Sequence, residues 1–196
     1  MSFEHYFSEK PNSDIKLFKL KVFLRTHTYQ FVTSSGIFSP KKIDKGTLIL
    51  IENLKLPDEG KVLDLGAGYG VLGIVIADNC PKCKVYLADI NERAVWLCKE
   101  NIKLNNITNA IGVKSDFFEK FQGEKFDLII SNLPYTIGIK KIEKINQSIP
   151  DFLSDKGNYQ IVVPKQHARV ISHLQTIFKS VKVFGKKGYK CILCAN

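Results

Sequence analysis

An apolar strand that runs straight into three closely spaced glycines, and from them into an apolar helix, restricts this chain more than any other feature. The strand is Lys61-Val62-Leu63-Asp64-Leu65, the loop Gly66-Ala67-Gly68-Tyr69-Gly70, and Val71 to Ala77 reads as a buried helix. Glycines at such a turn let the backbone approach a ligand with no Cβ in the way. The dinucleotide fingerprint requires glycines at the first, third and sixth positions. Counting from Gly66, the sixth position is Val71, so that fingerprint fails. Asp64, just before the first glycine, is a poor neighbour for a pyrophosphate and a good one for a ligand bearing an ammonium or a sulfonium.

Two more acids stand at comparable places. Lys84-Val85-Tyr86-Leu87-Ala88 is a second strand, ending in Asp89, and a carboxylate at the tip of the second strand can accept both ribose hydroxyls. The strand near Ile111-Gly112-Val113-Lys114 ends at Ser115-Asp116-Phe117, an acid beside an aromatic ring, suited to the amino edge and face of an adenine. Phe126 to Ser131 has the make-up of a strand buried on both faces of a parallel sheet, and it delivers Asn132-Leu133-Pro134-Tyr135 to its carboxyl end. Open α/β sheets bind ligands at that edge. The amide oxygen of Asn132 and a neighbouring main-chain carbonyl can accept from one NH₂ group, and Tyr135 offers a face for stacking. Taken singly, the acids also suit caps, and Asn132 and Pro134 suit a turn.

These residues, D-L-G-A-G-Y-G, an acid ending the second strand, S-D-F and N-L-P-Y, resemble the class I S-adenosylmethionine-dependent methyltransferases. Within them the chain is most similar to the ribosomal small-subunit RNA guanine-N2 methyltransferase C family and its short archaeal single-domain relatives. Glu4-His5-Tyr6-Phe7-Ser8, Ser35-Gly36-Ile37-Phe38-Ser39 and Asp44-Lys45-Gly46-Thr47 resemble that family's lead-in. The resemblance implies S-adenosyl-L-methionine held by Asp64, Gly66, Gly68, Gly70, Asp89, Ile90, Asp116, Phe117 and Asn132. It implies catalysis by Asn132, Leu133, Pro134 and Tyr135, with His5 and Tyr6 helping to close the site. The family usually has Pro where this chain has Leu133, and N-L-P-Y is typical of ribosomal adenine dimethyltransferases. Those carry an extra helical domain for which this chain has no room.

The expected architecture is α/β, a seven-stranded Rossmann-like sheet of six parallel strands with the last strand antiparallel and helices on both faces. Residues 58–196 would form this domain, and residues 1–57 an extension packed on it. In the extension Ile15 to Leu24 and Thr28 to Thr33 suit a hairpin, and Asp44 can cap a helix from Lys45 to about Leu54. Asn91 to Asn105 reads as a helix capped by Asn91, with Ala94, Val95, Leu97, Cys98 and Ile102 facing a sheet. Tyr159 to Val163 reads as a strand, Gln166 to Phe178 as a helix, and Val181 to Phe184 with Tyr189 to Leu193 as a closing hairpin turned at Gly185-Lys186-Lys187-Gly188.

At 196 residues with 44% hydrophobic content the chain can bury a full core. It has no apolar run of membrane-spanning length and no basic-then-apolar leader, which points to the cytoplasm. Two Cys pairs, Cys80/Cys83 and Cys191/Cys194, have a spacing used for zinc. Residues three apart on a strand face opposite ways, so Cys191 and Cys194 cannot share a metal. Buried reduced thiols and no metal are expected. The four histidines, His5, His27, His167 and His173, fall in no catalytic or metal motif.

Net charge is +10, and residues 131–196 carry 11 basic and 3 acidic groups. Lys140, Lys141, Lys144, Lys165, Arg169, Lys186, Lys187 and Lys190 belong to this third, with Lys140 and Lys141 expected in a loop after the Asn132 motif. A basic field beside a base-accepting site suits a phosphate backbone. Because 26 of 29 basic residues are lysine, solvated helix faces would give the same count. The function expected is methyl transfer to an exocyclic base amine of RNA, N2 of a guanine in ribosomal RNA or the small ribosomal subunit. N6 of adenine, a protein glutamine amide and a non-catalytic RNA-binding module remain open. No DNA or membrane partner is expected.

Overall fold

The computed structural model describes residues 15–167, 169–185 and 188–196. His5 and Tyr6, and part of the 185–188 turn, lie outside them. Strands β1 (Leu17–Leu24) and β2 (His27–Ser34) pair in antiparallel register, Leu24 opposite His27. Helix α1 (Lys45–Asn53) starts where the Asp44 carboxylate accepts the Thr47 N–H, which satisfies a donor that the helix itself leaves unpaired. There follow β3 (Gly60–Leu65), α2 (Val71–Asn79), β4 (Cys83–Asp89), α3 (Glu92–Leu104), β5 (Ala110–Lys114) and β6 (Phe126–Ser131). The chain continues through α4 (Ile139–Ser148), β7 (Leu153–Pro164), α5 (Arg169–Ile177), β8 (Ser180–Phe184) and β9 (Tyr189–Ala195).

Strands β3 to β9 form one sheet in the order β5-β4-β3-β6-β7-β9-β8. The pairs β3/β4, β4/β5, β3/β6 and β6/β7 are parallel, and β9 runs against both β7 and β8. Six strands thus share one direction and the last opposes them, the arrangement expected for a seven-stranded methyltransferase sheet. The chain winds outward from β3 to β5 and then returns to place β6 on the other side of β3. The carboxyl ends of β3 and β6 therefore open a crevice at the point where strand order reverses, the place ligands occupy in such sheets.

Two cores lie on the two faces, because successive strand residues point to opposite sides. Val62, Leu128 and Cys191 face the side covered by α1, α2 and α3, while Leu63, Leu65, Ile129 and Cys194 face α4 and α5. The hairpin is attached through α3. Asn101 Oδ1 accepts the Val32 N–H at 2.7 Å and its Nδ2 donates to Val32 O at 2.8 Å. Asn105 does the same with Gln30, at 3.0 and 2.7 Å. Two amides one helical turn apart thereby act as a surrogate neighbouring strand for β2.

Three expectations need correction. Lys140 and Lys141 lie on α4, whose buried Ile142, Ile145 and Asn146 recur at helical spacing, and not in a loop. Strand β7 begins at Leu153, six residues before Tyr159, since the polar run Ser154 to Asn158 extends the strand at the sheet margin and carries no hydrophobic signature. Cys80 and Cys83 are joined in a disulfide rather than standing as reduced thiols. They sit in the tight turn between α2 and β4, where Cys83 N–H donates to Cys80 O at 3.0 Å, and such a turn brings residues three apart to one side. Cys98, Cys191 and Cys194 are free and buried; burial pushes the Cys191 thiol up to about 11 and that of Cys194 up to about 12.

Candidate active site

The glycine loop turns sharply out of β3. Gly66 has φ +76°, and a Cβ there would stand 2.8 Å from Leu133 Cδ2, so the loop and the Asn132 segment touch only because Gly66 lacks one. The Gly66 and Ala67 N–H groups donate to Ala88 O, at 2.8 and 2.9 Å, and Gly68 N–H donates to Asp89 Oδ2 at 2.9 Å. These donors are thus held by the end of β4, whereas a phosphate cradle would point them at its ligand. From α3, Cys98 Sγ donates to Gly68 O at 3.2 Å and Asn101 Nδ2 to Tyr69 O at 2.8 Å. The loop is held from both sides.

Each acid has a different situation. Asp64 is buried; its Oδ2 accepts Gly73 N–H at 2.8 Å, in the first turn of α2, while its Oδ1 is buried with no hydrogen-bond partner among the described residues. Burial raises its carboxyl to about 7, against the lowering effect of the Gly73 N–H, with the nearby Asp89 charge adding to the rise. Asp89 is also buried, with Oδ2 on Gly68 N–H and Oδ1 accepting Asn91 N–H at 2.9 Å. Asp116 is exposed and followed by Phe117 at φ +47°, an unusual value for a bulky residue. Ser115 braces this turn by donating to Phe117 O at 2.9 Å.

Two adjoining clefts meet at Gly66. One is lined by Asp89, Ile90, Asp116, Phe117, Leu133 and Pro134, together with Gly66. The other is lined by Phe38, Ser39, Asp44, Thr47, Gly68, Tyr69 and Asn132, again with Gly66. Of the residues singled out from sequence, Asp64, Gly70 and Tyr135 line neither. Gly70 is the N-cap of α2 in the left-handed region. Tyr135 packs against the core beneath α4 and α5, and burial pushes its phenol far above its ordinary range, keeping it neutral.

Sequence reasoning missed several residues here. Asn132 Nδ2 donates to Asp44 Oδ2 at 3.0 Å and to Thr47 Oγ1 at 2.9 Å, so both amide hydrogens are taken by the first turn of α1. From the sequence Asp44 was legible as a cap and as part of the lead-in segment, not as a partner of Asn132. Ser131 Oγ donates to Leu65 O at 2.6 Å and ties the ends of β6 and β3. Phe38 places an aromatic ring in the lining of the cleft of Asn132, with Tyr69. Its segment is held by Arg93 Nη1 on Ser35 O at 2.8 Å and Asn91 Nδ2 on Gly36 O at 3.4 Å. Nothing in residue spacing ties these distant positions together. Arg169, counted with the basic residues of the last third, is paired with Glu143 through Nε–Oε1 at 3.0 Å and Nη2–Oε2 at 3.3 Å.

The residues fit S-adenosylmethionine. The cofactor carries a sulfonium and an ammonium, and beside the loop Asp64 of β3 holds a buried carboxylate oxygen without a partner among the described residues, in place of anion-binding N–H groups. Its adenosine needs hydroxyl acceptors and a flat apolar slot, which the first cleft combines in Asp89, Ile90 and Phe117. Among the described residues no group of three or more His, Cys, Asp or Glu converges as a metal site, and no helix is long and apolar enough to cross a membrane.

Comparison with known proteins agrees with this geometry. The chain is 35% identical over 194 residues to the Bacillus subtilis protein YbxB, covering 96% of each. It is 33% identical over 163 residues to the ribosomal RNA small subunit methyltransferase C of Hamiltonella defensa, covering 78% of this chain and 48% of that one. The structure of the T. thermophilus 16S rRNA N2 G1207 methyltransferase, solved with AdoMet and guanosine, superposes with a TM-score of 0.83 at 23% identity over 95% of this chain and 52% of that one. The chain thus spans about half the length of these two methyltransferases. The description of the methyltransferase small domain matches residues 28–193, and the chain belongs to that family, whose chemistry is S-adenosylmethionine-dependent methyl transfer.

Proposed function

We propose that this protein methylates an exocyclic amine of an RNA base, N2 of a guanine in small-subunit ribosomal RNA. The observation that carries the reading is the fixed amide of Asn132. With both Nδ2 hydrogens donated to Asp44 and Thr47, its Oδ1 is the atom left to accept from a substrate. An amine on a purine ring is a weak nucleophile because its lone pair is delocalised into the ring. Asn132 Oδ1 and the Leu133 carbonyl would accept its two hydrogens and favour a pyramidal nitrogen. Phe38 supplies the stacking face in the cleft.

Bound in the neighbouring cleft, S-adenosylmethionine supplies a methyl on a sulfonium leaving group. Asp89 would hold its ribose hydroxyls, Asp116 and Phe117 its adenine, and the free Oδ1 of Asp64 its cationic end, with Gly66, Gly68 and Ile90 shaping the slot. Attack by the amine nitrogen would take the methyl as its bond to sulfur breaks, and the amine proton would pass to solvent once nitrogen is positive. Orientation and electrostatics carry most of such a rate gain. A paired base would first be flipped out. Residues 58–196 are assigned to the catalytic unit and the segment up to residue 57 to an extension whose part near α1 walls the acceptor cleft.

Support also comes from the likeness to ribosomal RNA small subunit methyltransferases over most of this chain. The test is mass spectrometry of ribosomal and transfer RNA nucleosides from cells with and without the gene. Loss of N2-methylguanosine, restored by the wild-type protein and not by Asn132→Ala, is the expected result. Methyl lost only from adenosine, or from protein glutamine alone, would overturn the assignment.

A further inference from the structure

We propose that Asp44 is the residue that selects guanine, by accepting the N1–H that lies beside the amine being methylated. The inference rests on the reading of the Asn132 cleft as a base-amine site and adds the group that distinguishes its possible acceptors.

Asp44 is the N-cap of α1, with extended backbone at φ −61° and ψ 144°. Its Oδ2 accepts two hydrogen bonds, from Thr47 N–H at 3.2 Å and from Asn132 Nδ2 at 3.0 Å. These fix the carboxylate plane from two sides. Asp44 is half-buried and lines the same cleft as Asn132 and Phe38, and its Oδ1 accepts no hydrogen bond among the described residues. The approach is close because residue 46 is glycine: a Cβ there would stand 2.8 Å from Asp44 Oδ2 and 3.3 Å from Asn132 Oδ1. The cleft thus offers two acceptor oxygens, one neutral and one charged, on side chains hydrogen-bonded to each other.

The three acceptors compatible with Asn132 differ in what lies next to their NH₂. Guanine presents N1–H and the N2 amine as adjacent donors. Adenine presents its N6 amine beside N1, a lone pair. A glutamine amide presents its NH₂ beside a carbonyl. Only guanine places a second donor against a carboxylate. Adenine or glutamine would aim an electron pair at it, an unfavourable contact in a partly buried site. A carboxylate pairing with base donors is an established mode of readout. The same oxygen pair would also stay fixed during attack, since Oδ2 is held by the helix terminus.

The test uses the full-length wild-type protein and two variants, Asp44→Asn and Asp44→Ser. Both replacements are good N-caps, so α1 should survive, which thermal unfolding checks. Affinity is measured for guanosine and for 2-aminopurine riboside, which keeps the N2 amine but has no N1–H and reports its own binding by fluorescence. Methyl transfer is measured on small-subunit ribosomal RNA from cells lacking the gene. Wild type should prefer guanosine by about ten- to a hundredfold, the effect of one charge-assisted hydrogen bond. Asp44→Asn should abolish that preference and lower kcat/KM for guanine N2 by a similar factor, with cofactor affinity unchanged. A preference that persists in a folded Asp44→Asn protein would overturn the inference while leaving the base-amine reading standing. Absence of methyl transfer to any RNA base by the wild-type protein would overturn both.

Discussion

The side-chain amide of Asn101 binds both backbone groups of Val32, at 2.7 and 2.8 Å, and also donates to Tyr69 O in the glycine loop at 2.8 Å. One fully buried residue on α3 thus couples the amino-terminal hairpin to the cofactor loop. Asn101→Ala would leave the N–H and C=O of Val32 and the Tyr69 carbonyl without this partner. An unsatisfied buried polar group costs about 1–3 kcal/mol, and in a chain of this size about 1 kcal/mol lowers Tm by roughly 2–4 °C. The variant should therefore melt several degrees lower, read by calorimetry, and bind cofactor more weakly. Asn105→Ala, whose side chain bonds Gln30 of the hairpin and the Asn101 carbonyl but no residue of the glycine loop, should lower Tm without changing cofactor affinity.

Asp89 joins the loop to the cofactor cleft. Asp89→Ala should weaken S-adenosylmethionine by tenfold or more, since a charge-assisted hydrogen bond contributes about 1.5–3 kcal/mol. Titration calorimetry measures it directly. Unchanged affinity would remove Asp89 from the ribose.

Asp64 gives the apo protein a pH dependence of definite sign. Its carboxyl is raised from 3.8 to about 7, first by burial. Between those values the folded chain holds a proton that the unfolded chain has released. Stability therefore falls as pH rises through this window, by up to about 1.4 kcal/mol per unit, and this contribution is gone above pH 7. Urea unfolding at several pH values should show the slope, and Asp64→Asn should flatten it. A cationic ligand favours the carboxylate, so cofactor binding should release a proton at pH 6 in wild type and not in the variant.

Lys140 and Lys141 are exposed at the start of α4, with Lys141 Nζ 5.2 Å from the centroid of the Phe117 ring. This places cationic charge beside the cofactor cleft. The double reversal Lys140→Glu, Lys141→Glu should weaken RNA binding and reduce its log–log salt slope by about 1–2. Arg169→Ala, which removes a cation already paired with Glu143, should leave that slope unchanged. Filter binding across a salt series distinguishes them.

What the sequence determined by itself was the frame. Hydrophobic period and length placed β3, β4, β5 and β6 within a residue or so of their ends; for the central β3 and β6, strands buried on both faces must be largely apolar and must stop where polar side chains begin. Their alternation with helices then dictated a parallel sheet, and with it the edge at which Asp89, Asp116 and Asn132 gather. Where chemistry depended on residues far apart, local pattern was silent. Asp44 and Asn132 are 88 positions apart, and Asn101 and Val32 are 69 apart. Such hydrogen bonds leave no periodic trace, since each partner alone is an ordinary cap or a polar residue on a helix. Tertiary packing decided that Asp64 would be buried next to the glycine loop and Tyr135 packed on the core, that Phe38 would line one cleft, and that Arg169 would be paired. It decided these things because burial and direction are properties of the assembled layers, whereas the sequence specifies only which faces must be covered.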